Sequence, residues 1–168
     1  GGTLLSPVPP VMVSCGDMEK SNILTIAWTG ILNSNPPKTY TSVRPQRHSF
    51  EIIKNTKSPE IGCVIHCYRG NVELAREYVK MGCYISIPGT VTFKNNKKTR
   101  EVAKEIPLEY LLIETDSPYM APEPHRGKRN DPSLVQFVAD KIAQEKGISY
   151  EEVCKVTKEN AKKLFNIK

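Results

Sequence analysis

Hydrophobic and polar residues follow two different patterns along this chain. From about residue 61 onward, short apolar runs alternate with amphipathic segments, and the runs IGCVIHCY, CYISIP and YLLIETD predict strands at 61–68, 83–88 and 110–116. These runs are apolar nearly throughout, as expected for strands that are covered on both faces. The amphipathic segments predict helices at 72–81, 100–106, 133–147 and 151–165.

Capping residues support these helices. Asn71 is a predicted N-cap, Asp131-Pro132 gives a cap with proline at the first helical position, and Ser149 with Glu152 forms a capping box. Strands that alternate with helices indicate βαβ units with parallel strands. Three strands do not close an eight-stranded barrel, so residues 58–168 are predicted to be a partial (β/α) barrel.

The first 57 residues show a different pattern. VMVSCG (11–16), NILTIAWTG (22–30) and KTYTSVR (38–44) are predicted strands, and their links are too short for crossover helices. Antiparallel pairing is therefore expected, followed by a helix at 50–57 with Ser49 as its cap. The prediction is a mixed α+β chain in two domains: an antiparallel β fragment at 1–57 and an α/β fragment at 58–168.

Composition and charge narrow the class of protein only a little. Of 168 residues, 39% are hydrophobic and 25% charged, and no apolar run approaches the length of a membrane span. The five cysteines are an odd number, which favours reduced thiols and a cytoplasmic protein over a disulfide framework. The net charge of +6 is shared evenly by the two parts. Basic clusters at 94–100 and 125–130 either attract phosphate or are simply solvated loops.

Three residues near the predicted strand ends are candidates for metal chemistry. His66 lies near the end of the first α/β strand, and Glu114 and Asp116 end the third. Sheets of this class carry reactive groups at the carboxyl ends of strands, and these side chains bind Zn²⁺, Mn²⁺ or Mg²⁺. The alternatives are a packed histidine and carboxylates that cap backbone N–H groups. Cys63 and Cys67 bracket His66, but in a strand they point to the opposite face, which argues against a zinc site.

Longer motifs in the second part resemble one family. The stretches VIHCYRGNVELAREYVKMGCYISIPGTVTF, IPLEYLLIETDSPYMAPEPHRGKRNDP and VTKENAKKLFNI resemble the C-terminal part of TatD family metal-dependent deoxyribonucleases, over residues 59–168. The resemblance implies a piece of a (β/α)₈ barrel that hydrolyses DNA phosphodiester bonds with divalent metals. It implies that His66 is a metal ligand and that Asp116 is a ligand and the catalytic residue. Glu114, Arg129 and His125 would then be supporting residues.

The chain departs from that family's pattern in its ligands. It contains no H-x-H pair, and its three histidines are His48, His66 and His125. The metal-bridging glutamate and the preceding histidine of the family have no counterpart. Two ligands hold a metal weakly, because affinity depends on ligand number and on the groups that orient the ligands. An incomplete metal site is therefore expected.

The first part resembles a second family. VPPVMVSCGDMEKSNILTIAWTGILNSNPPKTYTSVRPQRHSFEIIKNT resembles the start of flavin reductase-like proteins, which form an FMN-binding split barrel, over residues 4–57. The resemblance implies that Arg44, Arg47 and Ser49 bind the FMN phosphate and that Trp28 approaches the flavin ring. The alternative for Trp28 is a place in the core.

Neither part contains a whole fold of the family that it resembles. Our interpretation is a hybrid chain, engineered or recombined, without a complete active site. The alternatives are a residual metal-dependent DNA hydrolase that uses His66 and Asp116, and an FMN-binding module without turnover. Exposed strand edges predict a homo-oligomer, with DNA as a further candidate partner and no membrane.

Overall fold

A computed structural model describes residues 62–167 of this chain in full. Of the residues before them it describes the backbone at 11–16, 21–26, 29–34 and 37–41. The chain divides into two compact units, Gly1–Ile61 and Gly62–Lys168. The predicted FMN residues Trp28, Arg44, Arg47 and Ser49 lie outside the described residues, as does the predicted helix at 50–57.

The first unit contains two separate antiparallel strand pairs among its described residues. β1 (Val11–Gly16) pairs with β2 (Ser21–Ile26), and β3 (Thr29–Ser34) pairs with β4 (Pro37–Thr41). The predicted antiparallel direction agrees with this pairing. The prediction of one strand at 22–30 is wrong, since β2 and β3 are separate and belong to different pairs. Two isolated pairs give no support to the predicted split barrel.

The second unit is built on a parallel three-stranded sheet in the order β5–β6–β7. β5 is Cys63–Ile65, β6 is Cys83–Ile87 and β7 is Leu111–Ile113. Both strand pairs are parallel, so the three carboxyl ends lie at one edge of the sheet. The predicted partial α/β architecture is confirmed for this unit.

Four helices flank this sheet: α1 (Val72–Lys80), α2 (Lys97–Glu105), α3 (Val135–Lys146) and α4 (Tyr150–Phe165). Short 3₁₀ helices lie at Gly89–Thr92, Leu108–Tyr110 and Pro132–Leu134. The predicted caps form: Asn71 accepts a hydrogen bond from the Leu74 N–H, and Ser149 accepts one from the Glu152 N–H. The predicted start of α2 at residue 100 is wrong. The helix begins three residues earlier, at Lys97, and Asn96 is its N-cap. None of the described helices is long and apolar enough to cross a membrane.

Buried side chains from the sheet and from all four helices form the core. The largest fully buried apolar residues include Ile85, Ile87 and Leu111 on the strands and Val102, Ile142 and Val153 on the helices. Each such side chain contributes about 1.5–3 kcal/mol when it is withdrawn from water. A buried amide adds a directed contact, since Asn160 of α4 donates hydrogen bonds to the carbonyl oxygens of Leu108 and Leu111. The core thus fixes β7, the strand that leads to the candidate carboxylates.

All three parallel strands are shorter than predicted, β6 by only one residue. Residues 66–67 form a turn beyond β5, and β7 ends before Glu114. Cys67 and Asp116 have positive φ angles of 49° and 57°, which are incompatible with a continuing strand. His66, Glu114 and Asp116 therefore lie in the loops that follow the strands.

Candidate functional site

The first contact of the candidate site joins the loops after β5 and β7. Nδ1 of His66 lies 2.7 Å from Oε2 of Glu114. The same carboxylate oxygen accepts a hydrogen bond from the hydroxyl of Ser86, at 2.5 Å, and Ser86 is a buried residue of β6. Because an ionised carboxylate only accepts hydrogen bonds, Nδ1 of His66 carries the proton. Glu114 thereby fixes both the ring orientation and the tautomer of His66.

The backbone holds Glu114 in this place. Its N–H donates to the carbonyl oxygen of Ile87, at 3.1 Å, so the residue still pairs with the end of β6. On the neighbouring loop, the N–H of Tyr68 donates to the carbonyl oxygen of Ser86, at 3.0 Å. These bonds align the residues beyond β5 and β7 with the central strand, although both lie outside the strands proper.

The second contact brings His66 close to Asp116. Nε2 of His66 lies 3.6 Å from Oδ1 of Asp116, which is too long for a hydrogen bond. In the neutral imidazole, with the proton on Nδ1, Nε2 has a free lone pair. The site therefore presents one nitrogen and one carboxylate oxygen side by side, and the two side chains are 41% and 22% exposed.

A buried asparagine holds the loop that carries Asp116. The amide nitrogen of Asn130 donates to the carbonyl oxygens of Thr115 and Tyr119, each at 2.6 Å. Its backbone N–H donates to the carbonyl oxygen of Pro118 at 3.0 Å, and its side chain is only 4% exposed. These three bonds surround Asp116 and restrain a loop in which that residue has a left-handed backbone.

The two carboxylates change the acid–base behaviour of their neighbours. The hydrogen bond to Glu114 is the main cause that raises the pKa of His66, burial opposes it, and the charges of Glu114 and Asp116 raise it further. Burial, followed by the charge of Glu114, raises the pKa of the Cys67 thiol. A thiol with a raised pKa is a poor nucleophile, so the site does not favour cysteine chemistry.

The two donor atoms fit a shared divalent cation. Ligand atoms about 2.1 Å from one ion lie less than about 4.2 Å apart, and the 3.6 Å between Nε2 and Oδ1 satisfies this. A histidine that donates its other N–H to a carboxylate is the usual arrangement of a metal ligand. Oε1 of Glu114 is buried and has no hydrogen-bond partner among the described residues, which leaves an acceptor open. Within residues 62–167 no group of three His, Cys, Asp or Glu side chains forms a metal site by itself.

The predicted supporting residues separate into two groups. Glu114 lies in the cluster with His66 and Asp116. His125 instead packs against Phe137 of α3, with ring centroids 5.2 Å apart, and Arg129 is exposed with its charge near Asp131. Among the described contacts none joins His125 or Arg129 to the cluster.

Sequence reasoning missed Ser86 and Asn130. Ser86 is the one polar residue within CYISI, and a buried polar side chain in an apolar strand is a signal that it has a partner. Asn130 stands directly before Asp131-Pro132, and the sequence pattern groups it with the basic cluster at 125–130. The four described cysteines, Cys63, Cys67, Cys83 and Cys154, are free thiols, in agreement with the prediction.

A protein-family model matches most of the chain. The model described as TatD related DNase matches residues 42–166. The chain belongs to the TatD-related DNase family. The match begins within the segment 4–57, for which the sequence predicted a flavin reductase-like fragment, so the hybrid origin and the FMN site gain no support from it.

Individual TatD relatives agree with this assignment. The uncharacterized metal-dependent hydrolase YabD of Bacillus subtilis is 52% identical over 116 residues, which are 69% of this chain and 46% of YabD. The uncharacterized metal-dependent hydrolase YcfH of Escherichia coli K12 is 45% identical over 119 residues, 71% of this chain and 45% of YcfH. The chain thus spans less than half the length of these relatives. Their names support a divalent metal as the cofactor of this family.

Solved TatD structures have the same fold. The TatD homolog YJJV of Escherichia coli K12 aligns with a TM-score of 0.61 at 29% identity, covering 65% of this chain and 42% of YJJV. A TatD family hydrolase of Entamoeba histolytica aligns with a TM-score of 0.58 at 23% identity, covering 70% of this chain and 48% of that protein, and supports the fold alone.

Proposed function

We propose that this chain supplies part of the active site of a metal-dependent phosphodiesterase that hydrolyses DNA. The observation that carries the proposal is the arrangement around His66. Glu114 holds Nδ1 at 2.7 Å, and Nε2 lies 3.6 Å from Oδ1 of Asp116. DNA is the substrate class that the family description names. The same arrangement favours this function over a folded chain without an active site.

Each residue of the cluster has a separate role in this proposal. His66 and Asp116 bind the metal, and Glu114 with Ser86 orients the imidazole. When bound, a divalent cation supplies Lewis acidity toward water and phosphate oxygen. The partly buried carboxylate of Asp116 accepts a proton from the water that attacks the phosphate. Asn130 positions Asp116 through the loop and has no chemical role.

The donor set also implies further ligands. Catalytic zinc sites use three protein ligands, and the described residues supply two of them. We propose that the remaining ligands come from residues beyond the described ones or from a second copy of this chain. The predicted homo-oligomer is one route to such a site, because each parallel sheet of this kind has two edges for pairing.

The test is metal-dependent hydrolysis of labelled DNA by the chain and by matched variants. Asp116→Asn is expected to lower the rate at least about a hundredfold, since general-base catalysis typically contributes that much or more. Asp140→Asn is the control, because Asp140 lies on α3 and bonds only to Gln144 among the described contacts. Hydrolysis that persists in EDTA, or that Asp116→Asn leaves unchanged, would contradict the proposal.

A further inference from the structure

Two basic segments that lie far apart in the sequence meet at one cleft. The cleft has a volume of about 440 Å³ and lies between Arg69, Phe93, Asn95, Asn96 and Arg126. Asn95 and Asn96 belong to the basic cluster at 94–100, and Arg126 belongs to the cluster at 125–130. The fold therefore brings two neutral asparagines of the first cluster to the same cleft as an arginine of the second.

The cleft lies at the same edge of the sheet as the candidate metal site. Arg69 follows His66 by three residues in the loop after β5, and Met120 follows Asp116 by four residues in the loop after β7. Thr90 and Phe93 belong to the loop after β6. All three loops leave the carboxyl ends of parallel strands, so the cleft and the cluster share one face of the protein.

Arg126 stacks on an aromatic ring and makes a long, exposed ion pair. Its guanidinium carbon lies 4.4 Å from the centroid of the Phe93 ring, and its nearest carboxylate oxygen, on Glu123, is 3.9 Å away. The backbone of Phe93 is anchored, because Arg100 donates a hydrogen bond to its carbonyl oxygen at 2.5 Å. A guanidinium that stacks on an aromatic ring keeps its N–H edge available for a ligand.

The other side of the cleft is also cationic. Arg69 donates to the sulfur of Met120, a neutral acceptor, and is paired with no carboxylate among the described contacts. None of the described residues that line the cleft is acidic. Thr90 is buried, and its hydroxyl has no hydrogen-bond partner within the described part of the chain. Two guanidinium groups with neutral amides between them form a surface suited to a phosphate oxyanion.

We propose that this cleft binds a phosphodiester group of a DNA strand, beside the bond that is cut. The inference rests on the proposed function, since it takes the substrate to be a nucleic-acid strand that passes the candidate metal site. Arg69 and Arg126 contact the phosphate oxygens, and the exposed amide of Asn95 adds to the polar lining. The amide of Asn96 is already bonded to the carbonyl oxygen of Thr90 and the N–H of Thr99. The cleft fixes the register of the strand and leaves the base sequence unread.

The test measures, by fluorescence anisotropy, how tightly a short fluorescein-labelled oligothymidylate binds to the full chain in EDTA. Arg69→Gln and Arg126→Gln are each expected to weaken binding roughly tenfold, as for loss of a hydrogen bond to a charged group. Each change should also reduce the slope of log affinity against log salt concentration by about 0.7. Arg76→Gln is the matched control, because Arg76 is 55% exposed on α1 and pairs with Glu105 outside the cleft.

The outcomes separate this inference from the proposed function. Equal affinity and equal salt slope for the two cleft variants and Arg76→Gln would overturn the inference, whether or not Asp116→Asn abolishes hydrolysis. Displacement of the oligonucleotide by inorganic phosphate at comparable concentration would indicate a free-phosphate site and would also overturn it. Weakened binding by both cleft variants, with Asp116→Asn binding at least as tightly as the wild type in EDTA because it removes a negative charge beside the strand, is the result expected.

Discussion

Replacing Asn130 by alanine should loosen the loop that carries Asp116. The amide nitrogen of Asn130 bonds the carbonyl oxygens of Thr115 and Tyr119, and its Oδ1 accepts a hydrogen bond from the Asp131 N–H at 2.9 Å. Alanine removes all three bonds. At 4% exposure, the site gives water little access to the backbone groups that lose their partners.

The expected loss in the free energy of unfolding is about 3 kcal/mol. Each hydrogen bond contributes about 1 kcal/mol, and more where the abandoned partner stays buried. Such a loss is a large share of the roughly 5–15 kcal/mol that stabilises a typical protein. The amide of Tyr119, which bonds the Asp116 carbonyl oxygen at 3.0 Å, should also exchange its hydrogen faster.

Urea denaturation, monitored by far-ultraviolet circular dichroism, measures this change in the free energy of unfolding. Asn95→Ala is the matched control, because Asn95 is exposed and makes no side-chain hydrogen bond among the described contacts. Its free energy of unfolding should stay within about 0.5 kcal/mol of the wild type. An Asn130→Ala variant as stable as Asn95→Ala, with unchanged exchange at Tyr119, would refute the role assigned to Asn130.

Three further predictions concern other described residues. Glu114→Gln should lower the pKa of His66 toward its ordinary value, as measured by NMR titration in EDTA. Because the pKa of His66 is raised in the folded wild type, the contact with Glu114 stabilises the fold at low pH. That stabilisation is lost as the pH rises through the raised pKa. Equal His66 pKa values in both proteins would exclude the contact. Thr99→Val should raise the free energy of unfolding by about 1 kcal/mol, because the buried hydroxyl of Thr99 has no partner among the described residues, and a loss in urea denaturation would contradict this. Gly147→Ala should lower thermal stability by about 1 kcal/mol, because Gly147 ends α3 at a φ of 68°, and an unchanged melting temperature would speak against strain there.

The helices of the second unit could be predicted because their signals are local. Asn71 and Ser149 cap α1 and α4 with side chains that lie three residues from the N–H groups they accept from. Apolar periodicity then extends each helix to its end. The start of α2 was placed late, because the lysines before Arg100 gave no apolar pattern and Asn96 alone marks the true cap.

The strand ends could not be predicted for a physical reason. An apolar run shows which residues are buried and does not show where the backbone leaves the extended region. Cys67 and Asp116 take positive φ angles that nothing in their residue types requires. The turns at these positions move His66 and Asp116 out of their strands and toward each other.

The sequence predicted the site residues that lie close to strand ends. It missed the residues that reach the site only through strand pairing or through a contact distant in sequence. His66, Glu114 and Asp116 lie just after β5 and β7, close to the strand ends at which the sequence placed them. Ser86 reaches Glu114 only through the register that aligns β6 with β7, and Asn130 reaches the Asp116 loop from a segment 15 residues away from Thr115. Neither contact can be predicted from the spacing of residues in the sequence.

Binding of a divalent metal to the purified chain tests the central claim most directly. Calorimetric titration of Mn²⁺ and Zn²⁺ would compare the wild type with Asp116→Asn, His66→Ala and the control Asp140→Asn. The account predicts binding in the wild type and in Asp140→Asn that both site variants weaken at least tenfold, the smallest effect typical of changes around a metal ligand. Binding of equal strength in all four proteins would contradict it, because the metal would then lie away from Nε2 of His66 and Oδ1 of Asp116.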